Sequence, residues 1–287
     1  MINSMYKENE TGEAECSVIV HGADMGPGVS MMPMQANMMM AAPVDPFGGQ
    51  QVLLATQVFE VMELCGIEAK NRYRISPPEN PVGGTFLFAQ ENSDACQRIC
   101  CSPCRSFTMN VHQGESKQGP VVLSLEKTEQ HCPMLPWPVF LHPGAWFITC
   151  PWVCIAFTMS PPQITVKRAG TVIGTITDPP GQLFCCKANF IIRDASGNEI
   201  FEVGPHTLCQ FGQCCPCLAD EVVKVYDARS GAEVARISRL KMTCLEICQK
   251  TNRFTVDFGQ VQDPNHRALI FAAGLFFDMQ YWEVKNQ

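Results

Sequence analysis

Seventeen cysteines in 287 residues are the chain's most reactive feature, and their spacing allows more than one chemistry. Cys96, Cys100, Cys101 and Cys104 crowd one stretch, and Cys214-Cys215-Pro216-Cys217 crowd another. Cys101-x-x-Cys104 and Cys214-x-x-Cys217 have the knuckle spacing by which paired thiolates complete a tetrahedral zinc site. Adjacent cysteines crowd such a knuckle, however, and flanking turn glycines are missing. Thiols also accept fatty acids, and reduced cysteines pack in cores as small hydrophobes. All three uses stay open on spacing alone. The start of the chain, MINSMYKENETGEAE, is polar and acidic, without the basic and apolar regions of a secretory signal. The expectation is a cytosolic setting in which most thiols are reduced.

Covalent catalysis finds little support. The six histidines are scattered, and there is no G-x-S-x-G, no Walker A loop and no H-E-x-x-H. His112, His131, His142 and His206 read as ordinary surface or turn residues rather than bases or ligands. The net charge of −7 disfavours nonspecific binding to phosphate backbones, so no nucleic-acid partner is expected.

Residues 137–157 (WPVFLHPGAWFITCPWVCIAF) hold three of the four tryptophans and no charged residue. Their prolines prevent an unbroken spanning helix. Exposed apolar segments mark interaction sites, and tryptophan favours the bilayer interface. Trp137, Trp146, Phe147 and Trp152 are therefore expected to touch membrane. The competing reading is an apolar loop folded over its own domain.

These residues need a scaffold, and the 46% hydrophobic composition supplies enough apolar material for a sizeable core. Residues 1–50, rich in Met, Gly and Pro, read as a disordered tail, and residues 51–287 as the folded domain. Strands are expected over 72–75, 85–89, 107–112 and 121–126, and either a strand or a helix over 57–64, which is rich in β-formers. Three hairpins follow: 163–168 with 171–176, 190–193 with 199–203, and 222–227 with 233–237. Short strands punctuated by Gly and Asn turns point to a mainly β sandwich or barrel. The run ALIFAAGLFF over 268–277 breaks this rhythm. It falls short of the roughly 20 apolar residues that cross a bilayer, and Asp278 ends it. An all-round apolar helix of this length is expected to lie buried, with Leu269, Ile270, Phe271, Leu275 and Phe276 in the core.

Taken in order, several runs resemble the phospholipid scramblase family. They are Asn71-Arg72-Tyr73-Arg74-Ile75, the stretch from Phe88 to Cys96, Cys100-Cys101-Ser102-Pro103-Cys104-Arg105-Ser106-Phe107, Asn189-Phe190-Ile191-Ile192, Gly204-Pro205 leading to Cys214-Cys215-Pro216-Cys217, and the closing stretch from Arg267 to Glu283. The resemblance implies a Tubby-like fold, a closed antiparallel β-barrel around a buried hydrophobic C-terminal helix. It also implies energy-independent, calcium-responsive, bidirectional movement of phospholipids between bilayer leaflets, on the cytoplasmic face of the plasma membrane. Cys150 and Cys154 match the family's palmitoylated cluster, and Asn252 and Asp263 fall on its Ca²⁺ ligand positions. Lys250 and Arg253 put positive charge beside that segment, so submicromolar calcium binding is not expected. A non-enzymatic lipid-binding or signalling adaptor built on the same barrel is the alternative, because fold does not fix function.

Overall fold

Alternation of apolar and polar residues gives each strand of this chain one greasy face, and closing the sheet is what buries those faces together. The computed structural model describes residues 45–59, 70–94, 106–128, 162–179, 187–207, 217–249 and 251–282. The strands are β1 (Val52–Gln57), β2 (Arg72–Ser76), β3 (Leu87–Asn92), β4 (Phe107–Gln113), β5 (Val121–Lys127) and β6 (Gln163–Arg168). They continue as β7 (Thr171–Thr177), β8 (Lys187–Asp194), β9 (Glu199–Thr207), β10 (Glu221–Asp227), β11 (Glu233–Arg239) and β12 (Arg253–Asp257). Among the described residues there are also two helices, α1 (Cys244–Gln249) and α2 (Pro264–Phe277), and a π-helical turn (Asp278–Trp282) extends α2.

Each strand pairs antiparallel with its neighbours in sequence, and β1 pairs with β12, Val52 opposite Asp257, to close a twelve-stranded barrel. Closure leaves no unpaired sheet edge. Leu53, Tyr73, Leu87, Met109, Leu125 and Val166 point inward and are fully buried. Outward positions are mostly polar, with Val121, Val172 and Val222 as exposed exceptions, and they make cross-strand ion pairs, Lys167 with Glu126 at 2.7 Å, Arg193 with Glu199 at 2.6 Å and Lys224 with Glu233 at 2.9 Å. A barrel that spans a membrane shows the opposite pattern, apolar outside. These strands therefore face water on their outer surface.

The interior is filled by α2. Asp263 caps its start, its carboxylate accepting from the backbone N–H groups of Asn265 at 2.8 Å and His266 at 2.9 Å, with Pro264 in the first turn. Every residue from Arg267 to Phe277 is buried, including Leu269, Ile270, Phe271, Leu275 and Phe276. Phe276 stacks on Phe190 of β8 at 4.7 Å between ring centroids. Each large side chain buried this way contributes roughly 1.5–3 kcal/mol. Arg267 is the charged exception; its guanidinium donates to the carbonyls of Val261 at 2.7 Å, Gln50 at 3.0 Å and Phe47 at 3.2 Å. It thereby ties the approach to β1 onto the helix.

The twelve strands include the three expected hairpins, and the turn between β6 and β7 sits at Ala169 and Gly170 with φ of 48° and 80°. Several strands differ from expectation; β8 starts three residues earlier and β9 ends four residues later than the expected 190–193 and 199–203. The first runs over Val52–Gln57, so of the stretch expected at 57–64 it contains Gln57 alone, and residues 60–64 lie outside the described set. The three apolar residues Val52-Leu53-Leu54 blur the alternation that marks a strand, yet only this segment lies level with both β2 and β12. β3 starts at Leu87, two residues later than expected, although the N–H of Phe86 already donates to the carbonyl of Ile75 of β2 at 3.1 Å.

Candidate functional site at the barrel mouth

An up-and-down barrel sends alternate connections to opposite ends. The β1–β2, β3–β4, β5–β6, β7–β8, β9–β10 and β11–β12 connections all leave the end where α2 finishes; we call it the mouth. By sequence, these six intervals hold sixteen of the seventeen cysteines, Cys16 being the exception. The tryptophan-rich run 137–157 falls in the β5–β6 interval. Trp137, Trp146, Phe147, Trp152, Cys150 and Cys154 themselves lie outside the described residues. Three mouth cysteines that are described, Cys217, Cys244 and Cys248, are exposed, beside the exposed apolar side chains of Leu218 and Leu245. The two zinc-spaced pairs belong to the β3–β4 and β9–β10 intervals, and five strand pairings separate those intervals in either direction around the barrel. They leave opposite sides of the mouth.

Below the connections lies a layer of buried polar groups. Asp278, fully buried at the end of α2, accepts from the Tyr73 hydroxyl at 2.7 Å and from Asn252 Nδ2 at 3.0 Å. Asn252 Nδ2 also donates to the Trp282 carbonyl at 3.1 Å, and its backbone N–H donates to Gln57 Oε1 at 3.0 Å. Arg239, beside the Trp282 ring, pairs with Glu221 at 2.8 Å, and both residues are buried. Burial pushes the Asp278 carboxyl up to about 6, against the hydrogen bonds from Tyr73 and Asn252 and the charge of Arg239. Across the layer, Asp178 accepts from the Tyr281 hydroxyl at 2.6 Å. Burial pushes its carboxyl up to about 6 as well, opposed by that bond and by the Lys127 charge. The Tyr281 hydroxyl is raised in turn by burial and by the Asp178 carboxylate.

Between the ends of β3, β4 and β5 the mouth opens into a cleft of about 440 Å³, lined by Asn92, Ser93, Asp94, Ser106, Phe107, Thr108 and Lys127. Lys127 is buried, with its ammonium 5.9 Å from the centre of the Phe107 ring. Neither Lys127 nor Asp178 stands out in the sequence. Asp278 does, as the charge that ends an apolar run.

The two residues on calcium-ligand positions are not brought together. Asn252 packs at the finish of α2 and Asp263 caps its start, so the fourteen residues of the helix, about 21 Å, lie between them. Asp263 is committed to the helix cap and Asn252 to the buried layer. They do not fit a shared site for Ca²⁺, which needs six to eight oxygens around one ion. Among the described residues no group of three or more His, Cys, Asp or Glu side chains is placed to hold a metal.

A profile of the family described as Scramblase matches residues 31–284. The chain belongs to the scramblase family. Its closed barrel around a buried C-terminal helix is consistent with the Tubby-like fold. Curated relatives include phospholipid scramblase 2 of Bos taurus, 24% identical over 81% of this chain and 68% of the relative. Phospholipid scramblase 1 of Homo sapiens is 24% identical over 81% of this chain and 63% of its own length. The Mus musculus phospholipid scramblase 1 is 24% identical over 80% and 61%. This scramblase-family chain thus spans less than two thirds of the human and mouse proteins that it matches. No solved structure shows a significant match. Among the described residues, no helix of this family member is long and apolar enough to cross a membrane.

Proposed function

We propose that this chain is a membrane-associated phospholipid scramblase that speeds energy-independent, bidirectional movement of phospholipids between leaflets. The family match over residues 31–284, with relatives named phospholipid scramblase, carries the reading. In it the mouth lies against the cytoplasmic face of the plasma membrane, Trp137, Trp146, Phe147 and Trp152 sit at the interface, and Cys150 and Cys154 carry palmitate. A single acyl chain holds a protein to a bilayer only marginally, so two chains, or one with the apolar segment, make a stable anchor. Lipid does not pass through the barrel, because α2 fills it; headgroups move along the mouth, outside the packed core.

The adaptor reading draws on that same filled interior, since a barrel without a lumen is equally suited to holding a headgroup and moving nothing. Reconstitution of the full chain into liposomes with one labelled leaflet separates the two. The expected result is faster loss of leaflet asymmetry than in protein-free vesicles. We expect the same rate in calcium and in chelator, since Asn252 and Asp263 have structural duties. Protein that binds these vesicles without accelerating exchange, in either condition, would establish the adaptor instead.

A further inference from the structure

We propose that Cys244 and Cys248 of α1 form a second acylation site at the mouth, accepting long-chain fatty acyl groups as thioesters. The inference rests on the scramblase reading for a bilayer close to the mouth, and on the geometry of α1 for everything else. Neither cysteine belongs to the runs that resemble the scramblase family. What singles them out is that α1 is built inside out. None of its six residues is buried. Its two polar side chains, Glu246 and Gln249, are the half-buried ones. Cys244, Leu245, Ile247 and Cys248 are all exposed, Leu245 by 65% and Ile247 by 40%. At about 100° per residue these four fall within one arc of about 160°, and Cys248 stands one turn above Cys244. A surface helix in water turns the other way, with its apolar stripe toward the core.

The inverted orientation is fixed by specific bonds. Thr243 and Glu246 cap each other: the Thr243 N–H donates to Glu246 Oε2 at 2.7 Å, and the Glu246 N–H donates to Thr243 Oγ1 at 3.3 Å. Arg253 of β12 donates to the same Glu246 oxygen at 3.2 Å, which holds the polar side of α1 against the barrel. Just before the helix Met242 is buried, and the Lys241 N–H donates to Asp220 Oδ1 at 2.7 Å in the β9–β10 connection. Both thiols are thereby turned outward with aliphatic neighbours on either side. Exposure closes the core-packing use of cysteine to them. Cysteines on amphipathic helices beside a membrane are acceptors for reversible acylation. In the transfer a thiolate of the pair attacks the carbonyl carbon of a long-chain acyl thioester. The new C–S bond forms as the donor's C–S bond breaks, and the proton lost by the cysteine ends on the departing thiol. One thioester replaces another, so no oxidant or reductant enters. Two chains one helical turn apart give a firm hold where one is marginal.

The test isolates the full chain from eukaryotic cells, blocks its free thiols, cleaves thioesters with neutral hydroxylamine and tags the thiols that this releases. Trypsin then yields the peptide Met242–Lys250, whose cysteines are Cys244 and Cys248 alone. Tagging of this peptide is expected at least fivefold above a sample spared hydroxylamine, and a tag on either thiol supports the site. Three results would overturn it. Both thiols could be blocked at the first step in the membrane and soluble fractions alike, showing them free. They could be released by a phosphine but not by hydroxylamine, showing a disulfide. They could be released by a chelator, showing a metal. The wild-type chain suffices for every arm, so no variant has to fold. Because the peptide is read without any lipid exchange, the two readings fail separately. An acylated peptide from a chain that leaves liposome leaflets unmixed keeps the site and removes transport; a chain that mixes them with both thiols free does the reverse.

Discussion

A carboxyl buried at the end of a greasy helix has a predictable cost. The Asp278 carboxyl titrates near 6 in the folded chain and near its ordinary value of 3.8 when unfolded. Between those values the native state holds a proton that the unfolded state has released, so stability falls as pH rises through this window and levels off above it. The full difference is about 3 kcal/mol. Replacing Asp278 by Asn removes the titration and keeps the shape. Urea unfolding at pH 4.5 and at pH 7.5 should show wild type losing more stability between the two than Asp278→Asn, by about 2 kcal/mol, because part of the penalty is already present at pH 4.5. Other titrating groups cancel in that comparison, and Asp178, also near 6, is left to both proteins. Equal losses would show that the carboxylate carries no burial penalty. The sequence marks this position, since a lone acid closing an apolar run must be exposed or compensated. It does not reveal the compensation, because Tyr73 and Asn252 come to Asp278 across 205 and 26 residues. Those distances are set by barrel closure, not by spacing.

At the level of elements, hairpins were readable because alternation and turn residues are local. β6, β7 and the Ala169-Gly170 turn need nothing beyond their own residues. β1 was not, since its place is fixed by partners at both ends of the chain, β2 and β12. Gly174 is an intermediate case. It reads as a weak point in a strand, but its purpose is visible only with α2 in the barrel. A Cβ at Gly174 would come within 2.2 Å of the Arg193 carbonyl and 3.0 Å of a Leu269 methyl. The carbonyl belongs to the paired strand β8 and the methyl to the core helix, so neither gives way freely. Gly174→Ala should therefore lower unfolding free energy by about 1–3 kcal/mol. Thermal or urea denaturation would measure it. A neutral substitution would mean that α2 sits farther from β7 than the packing indicates.

For the whole molecule, the described apolar side chains gather mainly in a core around α2, and one of the four tryptophans belongs to that core. Trp282 is buried in the core beside Phe277, at 4.9 Å between ring centroids. The other three tryptophans fall in the β5–β6 interval at the mouth. Membrane contact through that interval should shift most of the indole emission to shorter wavelength when vesicles are added, and Trp282 should stay silent. The charge balance sharpens the expectation. A chain of net charge −7 gains no long-range attraction to anionic lipid, so the shift should be no larger on anionic than on neutral vesicles. It should also persist in high salt, which screens charge but not apolar insertion. Changing Trp137, Trp146 and Trp152 together to Phe should abolish the shift and leave the Trp282 emission unmoved by vesicles. A shift that survives the triple change would place lipid against the core turn, contradicting a barrel whose contents are sealed. Emission that ignores vesicles in the wild type would show that the apolar interval folds onto the protein itself.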